Sequence, residues 1–137
     1  MTRLIATLAA ATILTAFGTS AFGGPTAASG ANGASLAVQA KHVAFEFFQS
    51  QNERRYDDLC ALFSRGFISA HALRDRRTCV AVSHAVFVWS LRIEFRIGRV
   101  AREGDRLVVQ AVADGAPGRI VLVLEAGSLK ILAVEGS

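Results

Sequence analysis

Residues that build metal and redox sites are scarce in this sequence. The 137 residues include two cysteines, one methionine, one tyrosine and three histidines. Neither paired CxxC motifs nor a closely spaced histidine pair is present, because His42, His71 and His84 are scattered along the chain. The sequence therefore predicts neither a bound metal ion nor a cofactor.

Charged residues are also sparse, and their signs are nearly balanced. They make up 19% of the chain, and 15 Lys and Arg residues against 11 Asp and Glu residues give a net charge of +4. Nucleic-acid-binding domains usually concentrate cations on one face with aromatic side chains nearby. Here the arginines alternate with apolar or acidic residues along predicted strands, at Arg92, Arg96, Arg99, Arg102 and Arg106. Solvated strand faces commonly carry such charges, so binding to nucleic acid is not expected.

The N-terminus carries the features of a secretory signal peptide. Arg3 is followed by the apolar segment 4–17 and by the small residues 19–21. We expect residues 1–21 to be cleaved after Ala21, and a second small-residue site at 26–28 leaves the start of the mature chain open. An uncleaved anchor would need about 20 apolar residues, and residues 18–20 interrupt the run.

The expected mature protein begins with a segment that has no large side chain. Residues 23–35 are Gly, Ala, Ser, Thr, Asn and Pro, and such a composition buries too little surface to offset its ordering entropy. We therefore predict a disordered leader over residues 22–35 and one domain over residues 36–137. No cysteine lies at the cleavage point, so the protein is predicted to be secreted or extracytoplasmic, without a lipid anchor or a membrane span after cleavage.

The two cysteines are expected to form a disulfide. Cys60 and Cys79 belong to a chain predicted to be exported, and oxidising compartments favour bridges over free thiols. Closing a loop of this size stabilises a fold by roughly 3 kcal/mol in the chain-entropy model. The alternative, catalytic or metal-binding thiols, would need partners that the sequence does not supply.

Hydrophobic periodicity predicts helices in the first half of the domain. Apolar residues from Leu36 to Ser50 recur at helical spacing after Ser35, a plausible N-cap. A second helix is predicted from Tyr56 to Phe63, a buried helical turn at 67–70, and a third helix from Arg74 to about Phe87.

The period then changes to that of strands. Apolar residues Leu91, Ile93, Phe95 and Ile97 alternate with polar residues and glycine, which predicts a half-buried strand. Three further strands are predicted over 107–113, 120–125 and 129–134, separated by glycine-containing turns. Helices followed by strands indicate an α+β fold, with N-terminal helices packed on a curved antiparallel sheet of about four strands.

This layout resembles exported nuclear transport factor 2-like domains of actinobacterial type. The resemblance covers residues 37–135 and rests on the amphipathic first helix, the second helix at 56–64, the partner Cys79 preceded by 75–78, and the terminal sheet. It implies a cone of helices and bent sheet that encloses a pocket. Members use that pocket for binding, for isomerase or dehydratase chemistry, or for dimerisation, and fold alone does not decide which.

Two groups of residues in the sequence are candidates for catalysis. His71 and Asp75 would meet on a helix as an oriented imidazole, but Asp75 also stands where an N-cap belongs. Tyr56 could pair with Asp57 or Asp58, although aspartates in a first turn also oppose the helix dipole. We favour the structural interpretation in both cases, and His84 is expected to be a half-buried core residue.

The favoured function is therefore a non-catalytic exported binding domain. Aromatic and aliphatic side chains are the expected walls of an apolar small-molecule pocket between helices and sheet: Phe47, Tyr56, Phe63, Phe87, Trp89, Ile93 and Phe95. The predicted partner is a small apolar ligand or an envelope protein. Two alternatives stay open, namely an isomerase- or dehydratase-type enzyme using His71, Asp75 or Tyr56, and a module that dimerises through the outer face of the sheet.

Overall fold

All helices of the described chain precede its strands. The computed structural model describes residues 26–136, with side chains from Ser35 onward, so the predicted signal peptide and residues 22–25 lie outside the described residues. The helices and strands within that range are α1 Thr26–Asn52, α2 Tyr56–Ala61, α3 Arg65–Ala70, α4 Arg76–Phe87, β1 Phe95–Glu103, β2 Arg106–Ala113, β3 Ala116–Glu125 and β4 Ser128–Gly136. The predicted α+β order is confirmed.

Helix α1 begins earlier than the sequence indicated. Its start was expected after Ser35, whereas the helix runs continuously from Thr26, so residues 26–35 of the predicted flexible leader are helical. The four alanines of this stretch favour a helix, although Gly30 and Gly33 oppose one. Once packing holds the later turns of α1, each added residue extends the helix without a new nucleation step. The leader was predicted to be disordered because it has no large side chain to bury, and that criterion leaves out the extension of a helix that is already packed.

The sheet is an antiparallel meander in the order β1-β2-β3-β4. Its register pairs Val109 with Ile120 and Leu122 with Ile131. The register shifts once in β1, between Ile97 and Val100, and once between β3 and β4. Such bulges bend a strand and increase its twist, which curves the sheet. At the first shift, a Cβ on Gly98 would lie 3.1 Å from the Gln110 carbonyl oxygen, so this close approach favours glycine.

The main core lies between α1 and one face of the sheet. Ala40, Ala44 and Phe48 of α1 are buried against central sheet residues. The small alanines let the helix approach the strands, and the Phe48 ring stacks on Phe95 of β1 with centroids 4.9 Å apart. The buried sheet side chains in this cluster are Val109, Ala111, Ile120, Leu122, Leu129 and Ile131.

The first strand begins later than predicted. The alternation from Leu91 predicted an inward-facing residue there, but Leu91 is 90% exposed and β1 starts at Phe95. The late start of β1 is explained by the side chain of Asn52, the last residue of α1, which binds the backbone of Ile93. Its amide donates to the Ile93 carbonyl at 3.0 Å, and its oxygen accepts from the Ile93 N–H at 2.7 Å. These bonds replace the strand pairing that Ile93 would otherwise need.

A second, smaller core surrounds the disulfide. Cys60 of α2 and Cys79 of α4 are bonded, with their Cα atoms 6.0 Å apart, as predicted. Buried Leu73 packs against the bridge, and the buried Ser83 hydroxyl donates to the Cys60 sulfur at 3.6 Å. The bridge fixes α4 against α2 at one end of the main core.

Candidate functional site

Most residues predicted to line an internal pocket pack in the core. Phe47, Phe63, Ile93 and Phe95 all contact the main buried cluster. The Phe47 and Phe63 rings lie edge to face at 6.4 Å. These side chains therefore fill the space between α1 and the sheet.

The other three predicted pocket residues lie apart from that group. Tyr56 is buried, with its ring edge-on to His84 at 5.7 Å. Phe87 is half-buried near the end of α4. Trp89 is 89% exposed, so it does not line a pocket wall. The loop that joins α4 to β1 holds it away from the sheet.

A surface cleft of about 630 Å³ lies at the helical end of the described chain. It lies where α2, α3 and the α3–α4 loop meet the β3–β4 turn. Its apolar lining comes from Ala61, Phe63, Ile68 and Ala72, and Cys60 brings it beside the disulfide. Its polar lining comprises Arg65, Ser69, Arg74, Asp75, Arg76, Glu125 and Lys130. Phe63 is the one predicted pocket residue that lines this cleft.

One wall is fixed by a short extended segment that pairs with β4. The Ser64 N–H donates to the Ile131 carbonyl at 2.9 Å, and the Ile131 N–H donates to the Leu62 carbonyl at 2.7 Å. This forms a parallel bridge between Phe63 and Ile131. Ser64 then caps α3, because its hydroxyl accepts from the Phe67 N–H at 3.0 Å. The segment thus places both Phe63 and α3 against the sheet.

The opposite rim is a tight loop over residues 71–75. Ala72 and Arg74 both have left-handed backbone conformations, with φ of 54° and 65°, which are uncommon for residues other than glycine. The Leu73 N–H donates to the Ile68 carbonyl at 2.9 Å, and the Leu73 side chain is buried against the disulfide. The anchored leucine compensates the backbone strain and holds Arg74 at the rim of the cleft.

Cations outnumber carboxylates around the cleft by four to two. Both carboxylates are engaged: Glu125 accepts from the Arg65 N–H at 3.0 Å, and Asp75 accepts from the Thr78 N–H at 2.8 Å. Lys130 donates to the Ala61 carbonyl at 2.8 Å. In the described chain, the guanidinium groups of Arg65 and Arg74 have no ion-pair or hydrogen-bond partner, and both residues are exposed.

The fourth cation, Arg76, is held at one end of the cleft. It forms an ion pair with Asp57 of α2 at 3.2 Å and also donates to the Asp57 carbonyl at 3.1 Å. These contacts occupy the guanidinium and link α4 to α2. The cationic groups most open to a ligand are therefore Arg65 and Arg74.

The structure does not bring the candidate catalytic residues together on one helix. His71 ends α3 and lies against Phe67, with ring centroids 4.2 Å apart, whereas Asp75 begins α4 as its N-cap. The intervening loop breaks the helical spacing that the pairing required. Tyr56 has a buried hydroxyl with no partner among the described residues. His84, expected to be half-buried, is exposed.

Capping lowers the pKa of the Asp75 carboxyl, chiefly through the Thr78 N–H bond, followed by the Thr78 side chain and nearby arginines. A carboxyl with a lowered folded-state pKa stabilises the fold above its unfolded-state pKa, and that contribution is lost as pH falls through the folded-state value.

We therefore expect Asp75→Ala to lower the free energy of unfolding at neutral pH and to lower it by a smaller amount in acid. Asp75→Asn retains a capping oxygen and should cost less at neutral pH. Urea unfolding at neutral and acidic pH measures both variants. Equal losses for Asp75→Ala at the two pH values would contradict the charged cap.

The sequence contained weak signals for this site. The hydrophobic pattern predicts that the helical turn after Phe63 begins at residue 67, whereas Ser64 caps α3 and the helix begins at Arg65. The bridge between Phe63 and Ile131 joins residues far apart in the chain, and no local pattern reveals such a pairing.

Among residues 26–136, no cluster of three or more His, Cys, Asp or Glu side chains could hold a metal ion, and none of the helices combines the length and apolar character needed to cross a bilayer. No family model matches the chain, and no curated protein or solved structure matches it either.

Proposed function

We propose that this chain is a non-catalytic, extracytoplasmic binding domain whose ligand is a small amphipathic anion held in the cleft. The observation that carries the proposal is the lining of the cleft. Its apolar side chains adjoin two cationic groups, Arg65 and Arg74, that have no ion-pair or hydrogen-bond partner among residues 26–136. The volume, about 630 Å³, falls in the range of small-molecule sites.

The cleft chemistry favours a ligand with an acidic head and an apolar body. Phe63, Ile68 and Ala72 offer apolar surface, whose burial against a hydrocarbon supplies the main attraction. Arg65 and Arg74 offer charge-assisted hydrogen bonds to a carboxylate or phosphate. Glu125 and Asp75 keep their negative charges, but the four cations of the lining exceed them, so the cleft stays positive.

An extracytoplasmic location is supported by the disulfide, which is consistent with an oxidising compartment. We propose in addition that residues 1–21 are a signal peptide and that the fold is a nuclear transport factor 2-like cone. The long helix across a curved four-stranded meander supports the second point. Intact mass of the protein secreted from a bacterial host tests the first, because cleavage after Ala21 fixes the mass of the product.

Binding of dodecanoate, compared with the uncharged dodecanol, tests the proposed ligand class. We expect saturable binding of dodecanoate by isothermal titration and weaker binding of the alcohol. Arg74→Gln should weaken dodecanoate binding about tenfold, because one charge-assisted contact is lost, and should leave dodecanol binding unchanged.

Arg77→Gln is the matched control, since Arg77 is also exposed near the start of α4 but does not line the cleft. Its dodecanoate affinity should equal that of the wild type. Equal losses in the Arg74 and Arg77 variants, or no saturable binding of either probe, would argue against the cleft as the binding site.

A further inference from the structure

The loop between α4 and β1 exposes large apolar side chains on the surface. Trp89 and Leu91 are 89% and 90% exposed, and Val86, at the end of α4, is 58% exposed. We call residues 86–92, which run from the last two residues of α4 into this loop, the apolar loop. Trp89 is also the only tryptophan of the chain. Adjacent exposed apolar side chains of this size mark interaction surfaces more often than scattered ones do.

The apolar loop is held in place at both ends. The Arg54 guanidinium donates to the Val88 carbonyl at 3.2 and 3.3 Å. Asn52 holds the N–H and carbonyl of Ile93 at the other end. Asn52 ends α1, which packs on the sheet, and Arg54 lies in the turn that follows it. The scaffold therefore presents Trp89 and Leu91 to solvent in a defined position.

Four arginines lie on or near the apolar loop. Arg54 lies against it through Val88, and exposed Arg92 belongs to it. Exposed Arg96 and Arg99 follow on β1. Three carboxylates lie nearby. Glu94 and Asp114 are exposed, and Asp114 accepts from the Glu94 N–H at 3.0 Å, while Glu53 accepts from Arg55 at 2.6 Å and from Gln49 at 2.7 Å.

We propose that the apolar loop docks this protein on an anionic phospholipid surface. Trp89 and Leu91 enter the interfacial region, where tryptophan is favoured, and Arg54 and Arg92 face the lipid phosphates. Cations near an anionic leaflet add attraction that salt screens. This surface function goes beyond the proposed cleft and does not depend on it.

The emission of Trp89 reports directly on this contact, because no other tryptophan contributes. With the full chain, we expect vesicles of phosphatidylglycerol and phosphatidylcholine to shift Trp89 emission to shorter wavelength, and brominated lipids to quench it. Phosphatidylcholine alone should give a much smaller shift, and added salt should reduce binding. Vesicle binding without a change in Trp89 emission would assign the contact to another segment, such as the apolar N-terminus, and would overturn the proposal.

Matched variants separate the apolar and the charged contributions. Leu91→Ser should weaken partitioning to the mixed vesicles about tenfold, and Arg92→Gln about fivefold, with no change on phosphatidylcholine alone. Val38→Ser removes an exposed valine of α1 and should have no effect. Equal affinity for the two vesicle types, or equal losses in the Leu91 and Val38 variants, would overturn the proposal. Circular dichroism confirms that each variant is folded.

Discussion

Replacing Phe48 with alanine is expected to lower the free energy of unfolding by about 3–5 kcal/mol. Phe48 is 7% exposed, stacks on Phe95 at 4.9 Å and joins α1 to the first strand. Its removal leaves a cavity between the helix and the sheet that the surrounding side chains cannot fill. Urea unfolding followed by circular dichroism measures the loss.

Phe45→Ala is the matched control for this prediction. Phe45 lies on the same helix and contacts the same Phe95 ring at 5.4 Å, but it is 42% exposed. Its loss should cost about 1 kcal/mol, which is the scale of an aromatic pair. Similar losses in the two variants would show that the face of α1 that we assign to the core is not the one that stabilises the fold.

Removing the disulfide should have the second large effect. The double variant Cys60→Ala, Cys79→Ala is expected to lose roughly 3 kcal/mol, because an unfolded chain without the bridge regains the freedom of a loop closed across 19 positions. Alanine avoids burying a hydroxyl at two positions that are 4% and 0% exposed. The variant should also bind dodecanoate more weakly, since Cys60 lines the cleft.

The wild type under reducing conditions provides the comparison for the disulfide. Reduced wild type and the double variant should have similar urea midpoints, both well below that of the oxidised protein. A double variant as stable as the oxidised wild type would contradict this expectation. Both measurements use the whole chain, so they include any contribution from its N-terminal residues.

The sequence predicted those features that depend on local pattern. Alternating apolar residues located the strands, the Asp75 cap was recognised from its position, and an expectation of export paired Cys60 with Cys79. The predicted start of β1 was too early. Apolar and polar residues alternate from Leu91 onward, but only the part of this pattern from Phe95 onward lies in the strand. The side chains of Asn52 and Asp114, both distant in sequence, bind the backbone of Ile93 and Glu94 just before the strand begins.

The candidate site was less accessible from sequence than the fold. Aromatic residues were expected to surround a pocket, yet packing places Phe47 and Phe95 in the core and leaves Trp89 exposed. The cleft instead depends on the loop at Leu73 and on the contact of Phe63 with β4. Both are tertiary arrangements of residues that carry no local signature of a site.

The contact of residues 62–64 with β4 has a consequence for how copies of the protein can meet. The outer strands of an open sheet offer unpaired backbone groups to which another chain can add a strand. Here Ile131 uses its outward N–H and carbonyl on Leu62 and Ser64, which interrupts the β4 edge near its middle. The opposite edge is kinked at Gly98 and Arg99 and carries exposed arginines. Neither border of the sheet is a long flat template, so growth into fibrils by strand addition is disfavoured in the folded state.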